Sequence, residues 1–116
     1  MKVTDIIGDI SNEEKSLIED LKNSENFKII KIGAEWCPPC VRLKPYFTKS
    51  KEENKNIDFY DIDLGSRDNS RNENIARYFK VYGIPYVVLL SKDNEILRKA
   101  QDNFHFMDEF KDLIKD

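Results

Sequence analysis

The sequence predicts an α/β protein in which one sheet carries helices on both faces. Short β-branched runs alternate along the chain with segments whose apolar residues recur at helical spacing. A polar turn near the end joins the last two strand-like runs into a hairpin. The length of 116 residues, 40% of them hydrophobic, suits one domain over residues 1–116 with one real core.

Ser11-Asn12-Glu13-Glu14 reads as a capping box, and Leu17, Ile18 and Leu21 follow at helical spacing, so a helix is expected over about 12–23. A short strand before it is left open. Phe27 to Gly33 is a β-branched run that reads as a strand and leads into Ala34-Glu35-Trp36-Cys37-Pro38-Pro39-Cys40. A helix begins there, since proline is tolerated in a first turn where its missing N–H is not needed. Val41, Leu43, Tyr46 and Phe47 give it an apolar side, and Pro45 within it is expected to kink it.

Ile57 to Leu64 alternates as a second strand, and the polar stretch from Gly65 to Asn74 reads as a loop. A helix over about 73–80 carries Ile75, Ala76 and Phe79. Tyr82-Gly83-Ile84-Pro85 is a turn, Tyr86 to Leu90 a buried type of strand, and Lys92-Asp93-Asn94 the hairpin turn to Glu95–Lys99. Phe106, Phe110, Leu113 and Ile114 mark a terminal amphipathic helix. Tyr78, Phe79, Tyr82 and Tyr86 have the spacing of core aromatics.

The charge balance narrows the function. Charged residues make up 35% of the chain at a net charge of −3, which argues against a nucleic-acid partner, since phosphate recognition leaves a basic balance or patch. No segment approaches the roughly 18 consecutive apolar residues of a membrane span. The first residues lack the apolar stretch of a secretory signal, so the cytoplasm is the expected location.

The two cysteines, Cys37 and Cys40, carry the chemistry. A disulfide between residues this close would close almost no loop, so stapling does not explain the pair. Redox chemistry or metal binding does. A structural zinc needs four ligands, and His105 is the one other soft candidate, near the far end of the chain. The redox reading places Cys37 at a strand-to-helix junction, where backbone N–H groups and the helix dipole favour a thiolate. Cys37 is then the nucleophile toward a disulfide. Cys40, one turn later, resolves the mixed disulfide, with no cofactor and no metal required.

At Ala34-Glu35-Trp36-Cys37-Pro38-Pro39-Cys40 the sequence resembles the thioredoxin family, and the likeness extends from about residue 10 to the end. Pro45 is similar to the family's kinking proline, and Gly83-Ile84-Pro85 to the turn that holds its cis-proline. The resemblance implies the thioredoxin fold, with a mixed sheet of four or five strands. It implies substrate docking around Trp36, Pro38, Ile84 and Pro85, with the backbone of Ile84 presented to an extended segment. It also implies a monomeric protein-disulfide oxidoreductase whose partners are disulfide-containing proteins and an electron-donating reductase. A redox-sensing binding module on the same fold, without turnover, is the alternative.

Three positions depart from the family pattern. Pro38-Pro39 replaces the usual Gly-Pro and is more similar to tryparedoxin and to reductants outside the cytoplasm. Lys31 stands where the family has a buried aspartate. A charged lysine there favours thiolate by Coulomb attraction, but the expectation is that its ammonium extends to water. Glu35 and Asp61 are the candidate replacement proton carriers. The region after the last strand, Lys99-Ala100-Gln101-Asp102-Asn103, lacks the family's glycine, and the Gly65–Asn74 loop is longer. His105, at the start of the last helix, reads as a surface or capping residue.

Overall fold

A computed structural model of the chain describes residues 2–6 and 8–115. The four strands are β1 (Phe27–Gly33), β2 (Ile57–Asp63), β3 (Tyr86–Leu90) and β4 (Ile96–Gln101). The helices are α1 (Asn12–Asn23), α2 (Pro38–Glu53), α3 (Glu73–Tyr78) and α4 (Phe106–Phe110). The sheet runs in the order β2-β1-β3-β4, with β1 and β2 parallel and the other pairs antiparallel. Among the described residues a 3-10 turn over Val3–Asp5 precedes α1, and the mixed sheet has four strands.

The period-2 pattern of the inner strands builds the core on two faces. Ile30, Ile32, Tyr86, Val88 and Leu90 pack with Leu17 and Leu21 of α1 and with Ile75 and Phe79 on one face. Phe27, Ile29, Val87 and Leu89 pack with Leu43 and Phe47 of α2 and Phe106 and Phe110 of α4 on the other. Every residue of β1 and β3 is buried, as the middle strands of a two-sided sheet require. Strand β4 is mostly exposed and carries Arg98 and Lys99, charges of the kind that blunt a free edge. No helix among the described residues is long and apolar enough to cross a membrane.

Helix α1 starts on the expected capping box. The Ser11 Oγ accepts from the Glu14 N–H at 3.1 Å, and the Glu14 carboxylate accepts from the Ser11 N–H at 2.9 Å. Glu14 is only 1% exposed, and its second oxygen accepts the Ile75 N–H at 2.8 Å, so one carboxylate caps both α1 and α3. Helix α2 runs through Pro45 without a break. The loop after β2 is an organised strap. Gly65 there has φ +74°, and a Cβ on it would lie 2.2 Å from the Asn69 carbonyl oxygen, which restricts the position to glycine. Asn72, buried at φ 56°, donates to the Asp63 carbonyl at 2.8 Å and to Glu13 at 3.1 Å. Arg71 pairs with Glu13 and with Asp63.

Two elements are shorter than the periodicity suggests. Helix α3 stops at Tyr78 because Lys80 turns left-handed, at φ 56°, and the Val81 N–H bonds back to the Ala76 carbonyl at 3.0 Å. Helix α4 stops at Phe110, and the chain tightens into three-residue turns, with Leu113 N–H on the Phe110 carbonyl at 2.9 Å. Leu113 and Ile114 still reach the core this way. Tyr82 is a correction to the aromatic pattern: it is 79% exposed, while Phe79 and Tyr86 are buried and Tyr78 is half-buried.

Burial alone raises the Glu14 carboxyl, but its hydrogen bonds with Ser11, Asn74 and Ile75 outweigh that and hold it below its ordinary 4.5. A folded value below the unfolded one stabilises fully above the ordinary carboxyl range, and that stabilisation is lost as pH falls through the folded value. Glu14→Gln is expected to cost about 2 kcal/mol at neutral pH, because it leaves a buried N–H poorly partnered. In denaturant unfolding the gap from wild type should narrow below about pH 4; a gap independent of pH would contradict this role.

Candidate active site

The site forms where β1 ends and α2 begins. Cys37 is the N-cap of α2, and its sulfur accepts the Cys40 N–H at 3.3 Å. Pro38 and Pro39 fill the first turn, where their missing N–H groups leave no gap in the helix ladder. The 3.6-residue turn brings Cys40 back under Cys37. Both are free thiols, 5% and 2% exposed, in a small apolar cluster with Ala34 and half-buried Ile84. The Ile84–Pro85 peptide is cis, and the Cys37 thiol lies 4.0 Å from the Ile84 carbonyl oxygen.

The two sulfurs sit in different electrostatic settings. Burial pushes the Cys40 thiol up to about 11, and its hydrogen bond with Cys37 adds to that. A backbone hydrogen bond with Ala34 and the charge of Lys31 pull the other way. Cys40 is therefore a thiol at neutral pH, while Cys37 stands at the N-cap of α2.

The expected docking residues surround this pair. Trp36 is 64% exposed, with its ring N–H donating to the Gly65 carbonyl at 2.6 Å, which ties the long loop to the cysteine turn. Pro38 is exposed, Ile84 half-buried and Pro85 buried. Glu35 and Asp61 line a cavity of about 180 Å³ together with Lys31, Gly33, Ala34, Lys44 and Asp63. His105 lies exposed at the start of α4, its ring 6.3 Å from that of Tyr46.

Lys31 corrects the expectation that its ammonium reaches water. Its side chain is 3% exposed and its Nζ pairs with both Asp61 oxygens at 3.3 Å. The cause is its place on the middle strand: β1 is covered on both faces, and Lys31 points under α2, with Nζ 5.9 Å from the centre of the Phe47 ring. Asp61, opposite Lys31 in the register of the β1–β2 pair, supplies the counter-charge.

Two further residues shape the site without having been singled out by the sequence. A Cβ on Gly33 would lie 3.0 Å from the Cys40 sulfur and 3.3 Å from its Cβ, so α2 can approach β1 this closely because residue 33 has no side chain. Its place directly before the cysteine motif was the available signal. Asp102 takes the left-handed backbone after β4, at φ 47°, and its N–H donates to the Pro85 carbonyl at 2.8 Å. A short polar residue tolerates that conformation, which explains how the chain turns there without glycine.

Gly33→Ala is expected to destabilise the protein by about 1–3 kcal/mol through overpacking against Cys40. A wild-type melting temperature in that variant would contradict the close approach.

Residues 10–116 match the family model described as Thioredoxin. The chain is 33% identical to thioredoxin of Borreliella burgdorferi over 76% of its own length and 70% of that protein's. It is 30% identical to thioredoxin C-3 of Corynebacterium nephridii over 77% of its length, but it spans only 58% of that relative. Mitochondrial thioredoxin 3 of Saccharomyces cerevisiae superposes with a TM-score of 0.69 at 26% identity, over 84% of this chain and 88% of that one. A mixed four-stranded sheet between helices, a dithiol at the start of α2 and a match over nearly the whole chain agree: the chain belongs to the thioredoxin family.

Proposed function

We propose that the protein is a thiol–disulfide oxidoreductase that reduces protein disulfides by dithiol–disulfide exchange. One observation carries the reading: two sulfurs one helical turn apart, of which Cys37 caps α2 and Cys40 is a buried thiol raised to about 11. That asymmetry orders the reaction. The Cys37 thiolate attacks a substrate disulfide, forming a mixed disulfide and releasing one substrate sulfur as a thiolate. Cys40, after losing its proton, then attacks the Cys37 sulfur. A Cys37–Cys40 bond forms, the Cys37–substrate bond breaks, and the second substrate sulfur leaves with the electron pair. Two electrons and two protons pass from the dithiol to the substrate.

In this reading the exposed Trp36 and Pro38 and the Ile84–Pro85 turn receive an extended segment of the substrate protein. The Ile84 carbonyl already faces the Cys37 sulfur, which supports that placement. A partner reductase returns the electrons, no bound cofactor takes part, and the setting is the reducing cytoplasm.

Cys37→Ser is expected to bring dithiothreitol-driven reduction of insulin down to the uncatalysed rate. Cys40→Ser should retain the first attack and accumulate mixed disulfides, visible by mass spectrometry of the unreduced protein after mild oxidation in lysate. Adducts on Cys40 in Cys37→Ser, with none on Cys37 in Cys40→Ser, would reverse the roles. Full turnover in Cys37→Ser would remove the reading altogether.

A further inference from the structure

The buried pair of Lys31 and Asp61 lies beside the chemistry and has no part in the exchange as written above. Residues two apart on a strand share a face. Gly33, against which the Cys40 sulfur packs, and Lys31 are two such residues. Phe47, over which the Lys31 Nζ sits, is two helical turns beyond Cys40 on α2. The ammonium therefore lies in the layer between β1 and α2, on the same side of the sheet as the Cys40 sulfur. The cavity of about 180 Å³ beside them is also lined by Asp61 and Asp63 from β2, Glu35 from the cysteine turn and Lys44 from α2. Of these groups Lys31 is the buried one, at 3%, while Asp61 is half-exposed, at 52%.

We infer that Lys31 is the positioning charge for the second half of the exchange: its buried ammonium favours the Cys40 thiolate, and Asp61 limits how much of that charge Cys40 feels. The inference rests on the dithiol exchange proposed above. A buried cation acts strongly because little water screens it. The timing is favourable as well. Two of the influences that hold Cys40 in its thiol form, the hydrogen bond and the charge of Cys37, end once the Cys37 sulfur is bonded to substrate. Burial then opposes ionisation, the backbone hydrogen bond with Ala34 favours it, and the Lys31 charge adds an ionic influence in the same direction. The proton leaves to solvent, and Asp61, half-exposed, stands on the cavity beside Lys31. A lysine in this place does not accept the Cys40 proton while charged, so it assists by field and not as a base.

The test is the stopped-flow reaction of the reduced protein with 5,5′-dithiobis(2-nitrobenzoate) from pH 5 to 9. Attack by Cys37 frees one coloured thiolate, and resolution by Cys40 frees the second, so the first phase is an internal reference for the second. Lys31→Met is expected to slow the second phase about tenfold at pH 7 and to displace its pH profile upward. Asp61→Asn, which leaves the ammonium without its counter-charge, should accelerate the second phase severalfold. Where Lys31→Met does not fold, Asp61→Asn decides alone. A second phase unchanged in Lys31→Met, or unchanged or slowed in Asp61→Asn, overturns the inference. A wild-type protein that releases no second thiolate overturns the exchange reading itself, and that outcome is distinct from the others.

Discussion

The contact on which the site depends is that of the Cys40 sulfur with the bare backbone of Gly33. It sets how deeply the first turn of α2 sinks onto the end of β1. That depth in turn buries Cys40, leaves Cys37 at the helix cap, and brings both sulfurs against Ala34 and Ile84. The rest of the fold serves to hold the two elements there. Strand β1 is fixed by neighbours on both sides, and α2 is pinned by Leu43 and Phe47 in the core shared with α4. The rigidity is needed because thiol exchange is governed by which sulfur is ionised and which is within reach.

The buried charged side chains among the described residues, Glu14, Lys28 and Lys31, each have a specific partner. Lys28 is fully buried on the opposite face of β1 from Lys31, and its ammonium donates to the Ser24 and Lys92 carbonyls at 2.9 and 2.8 Å. Burial lowers its pKa, with the Asp58 and Asp93 charges pulling back up. Glu14 is satisfied by the ends of two helices. Lys31 differs from both in its surroundings: a carboxylate holds it, and a titrating sulfur shares its face of the sheet. Of the three, the charge beside the reactive pair is the one with chemical consequence.

Much of this was legible in the sequence, for identifiable reasons. The capping box fixed the start of α1, the two apolar runs marked β1 and β3, and the cysteine spacing located the site, because each is a local pattern with a local cause. Lys31 departs from the pattern because a lysine in an apolar run ordinarily carries its charge to water; its burial depends on α2 covering that face, which is a tertiary fact. Tyr82 departs from the aromatic pattern for the converse reason: it stands in the turn after α3, and the spacing of aromatics does not show which turn residue is left in solvent. The place of Gly33 before the cysteine motif hints at a close approach, but what approaches it is shown only once the fold brings α2 over it. The strap from Gly65 to Asn74 read as an ordinary polar loop, although its residues bond to the start of α1 and to Trp36.

The central claim is that Cys37 and Cys40 form one reversible two-electron couple that donates electrons to protein disulfides. Equilibrium titration of the pair against dithiothreitol and glutathione buffers, read by mass after acid quenching, tests it directly. A single two-electron transition in the reducing range, near the roughly −270 mV of thioredoxin, is the expected result. A transition near about −120 mV would contradict the reducing direction, and the absence of any reversible transition would contradict the couple itself.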